Sequence, residues 1–229
     1  MLIVLGASCA RPPLLQQAIA ARGGPLPALV RESEAEVSLG FPGVWRWRTA
    51  VATRARYAWT VYTTGAPLHH LYDGGTVRAY VGSALAAEDA SPDAPFRTHA
   101  RFMAVVHLDD LAMPGVRLRE LPATARPPGA HAALEAVFAD TGARYVIGLD
   151  PRRLVVSVEG PVDLAPFGRR RVRVVLSDHR AVGGFTLAHR ASWTADGAAM
   201  ADERTLHACP LRTLRAEAFT LPAAIPACP

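Results

Sequence analysis

The sequence predicts a mainly β protein of the α+β class, with about nine to eleven antiparallel strands and two helices. Three observations lead to this prediction: one long segment of period-two alternation, several short alternating segments bounded by Gly, Asp and Pro turns, and helical spacing in two places. The chain has 229 residues, 50% of them hydrophobic, which is enough for the core of one large domain. No internal repeat or linker divides it.

The strongest signal is an alternation of side-chain character over residues 44–62. Its odd positions carry the apolar side chains Trp45, Trp47, Val51, Tyr57, Trp59 and Val61, and its even positions carry Arg46, Arg48, Arg54 and Arg56. Because successive side chains of a strand point to opposite faces, the pattern predicts one long strand, or two joined at a bend within residues 49–53. One face is then aromatic and buried, and the other carries solvated arginines.

Two segments have helical character. Residues 10–24 are typical of a short amphipathic helix, with Pro12 and Pro13 in the first turn and Gly23-Gly24 ending it. Residues 96–111 carry an apolar stripe at helical spacing, which a helix packed on the sheet explains. The stripe consists of Phe96, His99, Phe102, Met103 and Val106.

Shorter strands account for most of the remaining sequence. The turn Asp73-Gly74-Gly75 predicts a tight hairpin between strands at 69–72 and 76–81, and residues 83–95 are typical of a polar loop. Residues 131–140 are ambiguous between helix and strand. Alternation predicts further strands over residues 116–121, 145–150, 154–158, 172–176, 185–193 and 203–207.

The basic charge of the chain comes from arginine alone. All 25 basic residues are Arg, and the formal net charge is +5. These arginines are spread along predicted strands, with a dense cluster only at residues 169–173, and no nucleic-acid-binding motif accompanies them. We therefore expect a solvated sheet face and no nucleic-acid partner; attraction to anionic lipid head groups is the next interpretation.

The three cysteines bear on where the protein works. Cys9 ends a short apolar run, residues 2–8, that is typical of the end of a bacterial lipoprotein signal, in which small residues precede an acylated cysteine. The alternative is an ordinary N-terminal strand. A lipidated Cys9 leaves Cys209 and Cys228 as a candidate disulfide, which an exported protein permits. Three free thiols in a cytosolic protein remain the alternative.

Several motifs together resemble a known family. They are the hairpin Tyr72-Asp73-Gly74, the helical Phe102-Met103 segment, the strand end Leu149-Asp150-Pro151, and the run Asp178-His179-Arg180-Ala181-Val182-Gly183. Over residues 35–208 this order resembles the lipoprotein-carrier superfamily of LolA and LolB and its lipoprotein-sorting relatives. Ala188-His189 stands where that family usually has a proline.

The resemblance implies a curved antiparallel sheet or incomplete β-barrel, with two or three helices on its concave side and acyl chains sheltered between them. Together with the apolar run before Cys9 and the composition of the C-terminal residues, it predicts a lipoprotein signal remnant (1–9), one half-barrel domain (10–208) and a Pro/Ala-rich C-terminal tail (209–229). The implied ligand-binding residues are Trp45, Trp47, Tyr57, Trp59, Phe102 and Met103. The alternative is that these side chains only fill the core.

Catalytic and metal-binding patterns are weak. The string Asp140-Thr141-Gly142 is shared with aspartic peptidases, whose chemistry needs two carboxylates and therefore a homodimer here, but it is also a common hairpin sequence. His69 and His70 are adjacent on a strand and face opposite sides, so we expect no metal site. His107, Asp109 and Asp110 are expected to be solvated at a helix end.

The sequence thus favours a monomeric, non-catalytic protein that binds an acyl chain, lipid or lipoprotein and needs no cofactor. We expect it in the periplasm or at the outer membrane of a bacterium, held at the membrane surface through Cys9. The alternatives are a homodimeric aspartic peptidase that uses Asp140, and an envelope interaction module with a fully packed interior.

Overall fold

Thirteen antiparallel strands and two α-helices are found in the computed structural model, which describes residues 13–40, 42–91, 94–164 and 167–228. The first half contains α1 (Pro13–Arg22), β1 (Ala28–Val37), β2 (Gly43–Ala52), β3 (Arg56–Tyr62), β4 (Leu68–Tyr72), β5 (Val77–Val81) and β6 (Ala84–Asp89). The second half contains α2 (Pro95–His107), β7 (Val116–Glu120), β8 (Ala132–Phe138), β9 (Arg144–Leu149), β10 (Val155–Leu164), β11 (Gly168–Val182), β12 (Phe185–Ala195) and β13 (Ala198–Leu211).

All thirteen strands belong to one curved, unclosed sheet. Its order is β6-β5-β4-β3-β2-β1-β13-β12-β11-β10-β9-β8-β7, so two meanders are joined by the pairing of β1 with β13. The two edge strands, β6 and β7, are connected along the chain through α2, which packs on the concave face. The mainly β fold class and the incomplete barrel with helices are therefore confirmed, with thirteen strands instead of nine to eleven.

The first helix ends at a position that only glycine can occupy. In α1, Leu14, Leu15 and Ala18 are buried in the core, and the helix ends before Gly23, which has a positive φ of 112°. A Cβ at Gly23 would lie 2.3 Å from the Gly184 carbonyl oxygen, so only glycine fits this helix end.

The second helix is shorter than the 96–111 segment that the sequence predicts. α2 has Pro95 at its first turn and ends at His107, because Leu108 adopts a positive φ of 65°. Residues 109–112 then form a separate 3-10 turn. Phe96, Phe102 and Met103 lie on its buried face.

The aromatic strand segment consists of two strands. β2 and β3 are joined by a turn at residues 53–55, and their register pairs Trp47 with Val61, Thr49 with Trp59 and Val51 with Tyr57. The odd-numbered side chains of both strands therefore share the concave face, as the alternation predicts.

The opposite, convex face of these strands is not solvated throughout, in contrast to our expectation. Arg46 is exposed, but Ala50 and Ala58 on the same face are buried under Leu214 and Phe219 of the C-terminal segment. Because alanine is small, that segment can approach the sheet closely here. Cys209 and Cys228 form a disulfide in the structure, with Cα atoms 5.7 Å apart, which ties the segment to β13.

Candidate functional site

The concave face of the first meander is lined by three rows of cross-strand neighbours. The register of β2 to β5 places Val51, Tyr57, Tyr72 and Val77 in the innermost row and Thr49, Trp59, His70 and Ala79 in the next. The third row, called the rim row below, consists of Trp47, Val61, Leu68 and Val81. Leu68 and Val81 are 39% and 47% exposed, so the rim row is an apolar strip that reaches solvent.

The two inner rows are covered by the first turns of α2 through stacked rings. Phe96 and His99 lie 5.5 and 5.3 Å from the ring of Tyr57, centroid to centroid. His99 is 5.9 Å from Trp59, and Phe96 is 5.1 Å from His70. These five rings hold the start of α2 on the sheet by flat aromatic contacts and hydrophobic burial.

The same helix also packs on the second meander. The ring of Phe102 lies 6.2 Å from Tyr145 and 5.8 Å from Trp193. A hydrogen bond from the Asp163 backbone N–H to the Thr98 hydroxyl, 2.7 Å long, attaches α2 to β10. One helix therefore fills the space between the two halves of the sheet.

A buried carboxylate joins the tryptophans of both halves. The indole Nε1 of Trp47 donates to Glu203 Oε1 at 3.3 Å, and that of Trp193 donates to Glu203 Oε2 at 3.1 Å. The Arg31 guanidinium lies 4.0 Å from the same carboxylate. These contacts hold the indole rings of both halves on one carboxylate of the concave face.

The histidines of this region are uncharged near neutral pH. Burial and the neighbouring His70 lower the pKa of His99 to about 4. Burial, with a smaller effect of His69, also lowers the pKa of His70. Burial raises the pKa of the Tyr57 phenol well above its usual range, and the nearby Glu203 adds to that rise. The stack under α2 is therefore neutral, which suits apolar contacts.

The end of α2 is buried rather than solvated, which corrects our expectation for His107, Asp109 and Asp110. Asp109 accepts from Arg22 at 3.0 Å and from the Leu26 N–H at 3.3 Å. Asp110 is 7% exposed and accepts the backbone N–H groups of two residues in the β2–β3 turn. α1 and the sheet cover this end, and only tertiary structure brings those partners together.

Two small cavities lie on the concave side among the described residues. A cavity of about 50 Å³ lies between α1, the end of α2, β11 and β12, and another of about 10 Å³ lies beside His107 and Asp110. At roughly 10–15 Å³ for each water, the larger one holds about three to five waters. A ligand of drug size needs about 300–1,000 Å³. Neither cavity reaches that size.

The six side chains predicted as ligand-binding come together on this face. Tyr57, Phe102 and Met103 are buried, and the three tryptophans of β2 and β3 are half-buried on the same sheet face. Trp47 and Trp59 are in contact, with ring centroids 5.9 Å apart. Their role in binding stays a prediction.

Other residues of the site were not among the predicted ligand-binding residues. They are Arg31, His70, Phe96, His99, Trp193 and Glu203. Trp193 was within reach of sequence reasoning, because it continues the odd-position alternation of the 185–193 strand. Glu203 and Arg31 give no such signal, since a charged side chain at an inward position contradicts the pattern that identifies strands.

The Asp140-Thr141-Gly142 string forms the turn between β8 and β9. The Asp140 side chain is 60% exposed and pairs with Arg101 at 2.5 Å, and its other oxygen accepts from Thr141 at 3.3 Å. An aspartic peptidase dyad instead places two carboxyl groups around one proton. A catalytic role for Asp140 stays a prediction that no contact described here favours.

The described part of the chain contains no group of three or more His, Cys, Asp or Glu side chains arranged to hold a metal ion. It also contains no helix with the length and apolar character needed to span a membrane. Cys9 and the proposed lipoprotein signal lie outside the described residues.

Comparisons with known proteins find similarity in structure and not in sequence. No family model matches the sequence, and no curated protein matches it. A crystal structure of a LolA superfamily protein from Nitrosomonas europaea is similar with a TM-score of 0.56 and 11% identity, covering 92% of this chain and 97% of that one. A DUF1329 family protein from Desulfovibrio piger is similar with a TM-score of 0.58 and 10% identity, again over 92% and 97%. The LolA-like fold that the sequence motifs predict is therefore confirmed.

Proposed function

We propose that this protein binds acyl chains of lipids or lipoproteins on the concave face of its sheet, without catalysis. The observation that carries the proposal is the wall of stacked aromatic side chains that a single helix, α2, covers between the two halves of an unclosed sheet. The LolA-like fold supports it, since one of the similar structures is a LolA superfamily protein.

In this proposal the ligand lies between α2 and the sheet, so the start of α2 must separate from the aromatic side chains beneath it. Burial of its side chains Phe96, Phe102, Met103 and Val105 contributes about 1.5–3 kcal/mol each, or roughly 6–12 kcal/mol together. An acyl chain that buries about 14 methylene groups gains about 11 kcal/mol at ~0.8 kcal/mol each. The two free energies are of similar size, so exchange of helix–sheet contacts for ligand contacts is close to balanced.

The rim row gives the ligand a starting contact. Trp47, Val61, Leu68 and Val81 form an apolar strip that α2 leaves open to solvent. An acyl chain that lies on this strip is then next to Trp59 and His70 in the row beneath α2. Trp45, Trp47, Tyr57, Trp59, Phe102 and Met103 are the proposed contacts of the bound chain.

The proposed location is the bacterial cell envelope, at the periplasmic side of a membrane. The LolA-like fold and the small residues that precede Cys9 support this location together. Acylation of Cys9 would hold a monomer at the membrane surface, although one chain alone binds only marginally and a second signal is needed for stable anchoring.

A second candidate function is favoured by a different observation. The cavities described above, about 50 and 10 Å³, are small, as expected if the protein's own side chains fill the concave side. An envelope interaction module with a permanently packed interior has this property as well. It differs from the carrier in binding no lipid.

Native mass spectrometry of the protein purified from membranes, together with titration of a fluorescent fatty acid, separates these functions. We expect a co-purifying lipid mass, an acyl mass on Cys9, and binding that Trp47→Ala weakens about tenfold, equal to about 1.4 kcal/mol. Trp47 is suitable because it is half-buried in the rim row, outside the α2 stack.

The matched control is Tyr62→Ala, which removes a 41% exposed aromatic ring from the convex face. It should leave binding unchanged. No lipid mass and no titratable binding would exclude the carrier and leave the packed module. Peptidase activity that Asp140→Asn abolishes would instead identify the protein as an aspartic peptidase.

A further inference from the structure

The cavity of about 50 Å³ is lined by aliphatic side chains together with nitrogen-bearing ones. It lies away from the rim row, where β1, β11 and β12 meet α1 and the end of α2. Most of its wall is aliphatic, formed by residues such as Leu29, Val106, Leu108, Leu176 and Leu187. Four nitrogen-bearing side chains also line it: Arg22, Arg31, His107 and His179.

The ion pair of Arg31 is a long one in the contacts that the described chain shows. The residue is 8% exposed, and it donates to two neutral oxygens, the Thr205 hydroxyl and the Ala188 carbonyl. Glu203 is 4.0 Å away, and both of its oxygens already accept indole N–H groups. A buried guanidinium is costly unless an anion pairs with it in good geometry, so this arrangement favours an additional anionic partner.

Further donors are available beside Arg31. Arg22 pairs with Asp109 at 3.0 Å and donates to the Gly24 and His107 carbonyls, but its Nε is buried without a hydrogen-bond partner in the described chain. Nε2 of His107 is buried without a partner as well. Burial, Arg31 and Arg22 lower the pKa of His107 to about 3, so its ring is neutral. His179, the fourth of these side chains, is engaged with the Val155 carbonyl at 3.0 Å.

We propose that this cavity is a subsite for the carboxylate end of an acyl ligand, with Arg31 as its charge partner and the Arg22 Nε as a further donor. The inference rests on the proposed function and narrows its ligand class to free fatty acids. A carboxylate has three heavy atoms, which fit a space of about three to five waters. The phosphate of a phospholipid, with its two substituents, does not fit that space. The acyl chain leaves the cavity along the concave face, towards Thr49 and Trp47.

The test compares palmitate with methyl palmitate, which has the same chain and no charge. We expect the wild-type protein to bind palmitate at least about tenfold more tightly, because a hydrogen bond to a charged group contributes about 1.5–3 kcal/mol. Arg31→Met should abolish that preference by weakening the binding of palmitate to the level of methyl palmitate. The control Arg46→Met removes an equal charge from a side chain that is 69% exposed on the convex face, and it should keep the preference.

The outcomes separate this inference from the proposed function. Equal wild-type affinities for the two ligands, or a preference that survives in Arg31→Met, would overturn the carboxylate subsite and leave acyl binding intact. If neither ligand binds, the proposed function itself fails. Should Arg31→Met not fold, ¹³C NMR of carboxyl-labelled palmitate on the wild-type protein decides: we expect the carboxyl pKa to be lower when bound than in water, and an unshifted or raised pKa would refute the subsite.

Discussion

At the scale of single residues, Asp110 shows how one carboxylate holds the sheet to the end of α2. The turn between β2 and β3 contains Arg54 and Ala55, with positive φ values of 67° and 54°, a conformation that costs energy for residues other than glycine. Asp110 accepts the backbone N–H of Arg54 at 2.7 Å and that of Ala55 through its other oxygen. The carboxylate thus stabilises the strained turn between β2 and β3, the two strands that carry the aromatic side chains of the concave face.

Replacing Asp110 by Ala should lower the free energy of unfolding by about 1–3 kcal/mol, because two backbone donors lose their acceptor. Adding Ala55→Gly to that variant should restore up to about 1 kcal/mol, since glycine adopts the positive φ without strain. Urea denaturation followed by tryptophan fluorescence measures both changes. Asp202→Ala, at an exposed position, is the control, and an equal effect of the two Asp substitutions would contradict the account.

Sequence reasoning could not find this role. The sequence places Asp110 just after a helical stripe, where a carboxylate is usually solvated, and its partners are more than fifty residues earlier in the chain. The same holds for Arg31 and Glu203, which belong to the site only through tertiary contacts across β1 and β13. By contrast, the aromatic residues of β2 and β3 are predictable, because their alternation is a local property of the strand.

At the scale of elements, the start of α2 is held on the sheet by neutral rings. His99 stacks between Tyr57 and Trp59, and its pKa is lowered to about 4 from the ordinary value of 6.5. The unfolded chain therefore takes up a proton at a higher pH than the folded chain. Stability that is complete above pH 6.5 is lost as the pH falls from about 6.5 to about 4.

We expect His99→Phe to reduce the loss of unfolding free energy between pH 7 and pH 5, because phenylalanine keeps the stacked ring and cannot be protonated. Urea titrations of both proteins at several pH values measure how steeply the free energy of unfolding changes with pH. His131→Phe, which alters an exposed histidine in a loop, should keep the wild-type slope. An unchanged slope in His99→Phe would show that this ring does not couple α2 to pH.

Two strands, β1 and β6, were not predicted from the sequence, and each omission has a physical reason. β1 carries Arg31 and Ser33 on its buried face and Glu32 and Glu34 on the other, so no hydrophobic period is visible. β6 is an exposed edge strand of sequence Ala-Leu-Ala-Ala-Glu-Asp, with residues of low strand propensity. Both are defined by pairing with a neighbour: β1 with β2 and β13, β6 with β5.

At the scale of the whole molecule, the chain connection between the edge strands β6 and β7 determines where α2 lies. α2 links the two edge strands of an unclosed sheet, so the same helix that joins the meanders also fills the concave side. The sequence motifs predict this LolA-like fold, and identities of only 10–11% to similar structures show that the fold is shared although few individual residues are. The small cavities could not be predicted, because they depend on how closely α2 packs.

The most direct test of acyl binding is photocrosslinking with a fatty acid that carries a diazirine on its chain, followed by peptide mapping. The account predicts crosslinks in β2, β3 and α2, at concave residues such as Trp47, Trp59 and Phe102, and their loss in the presence of excess unlabelled fatty acid. Crosslinks confined to the convex face, or crosslinks that competitor does not reduce, would contradict binding beneath α2.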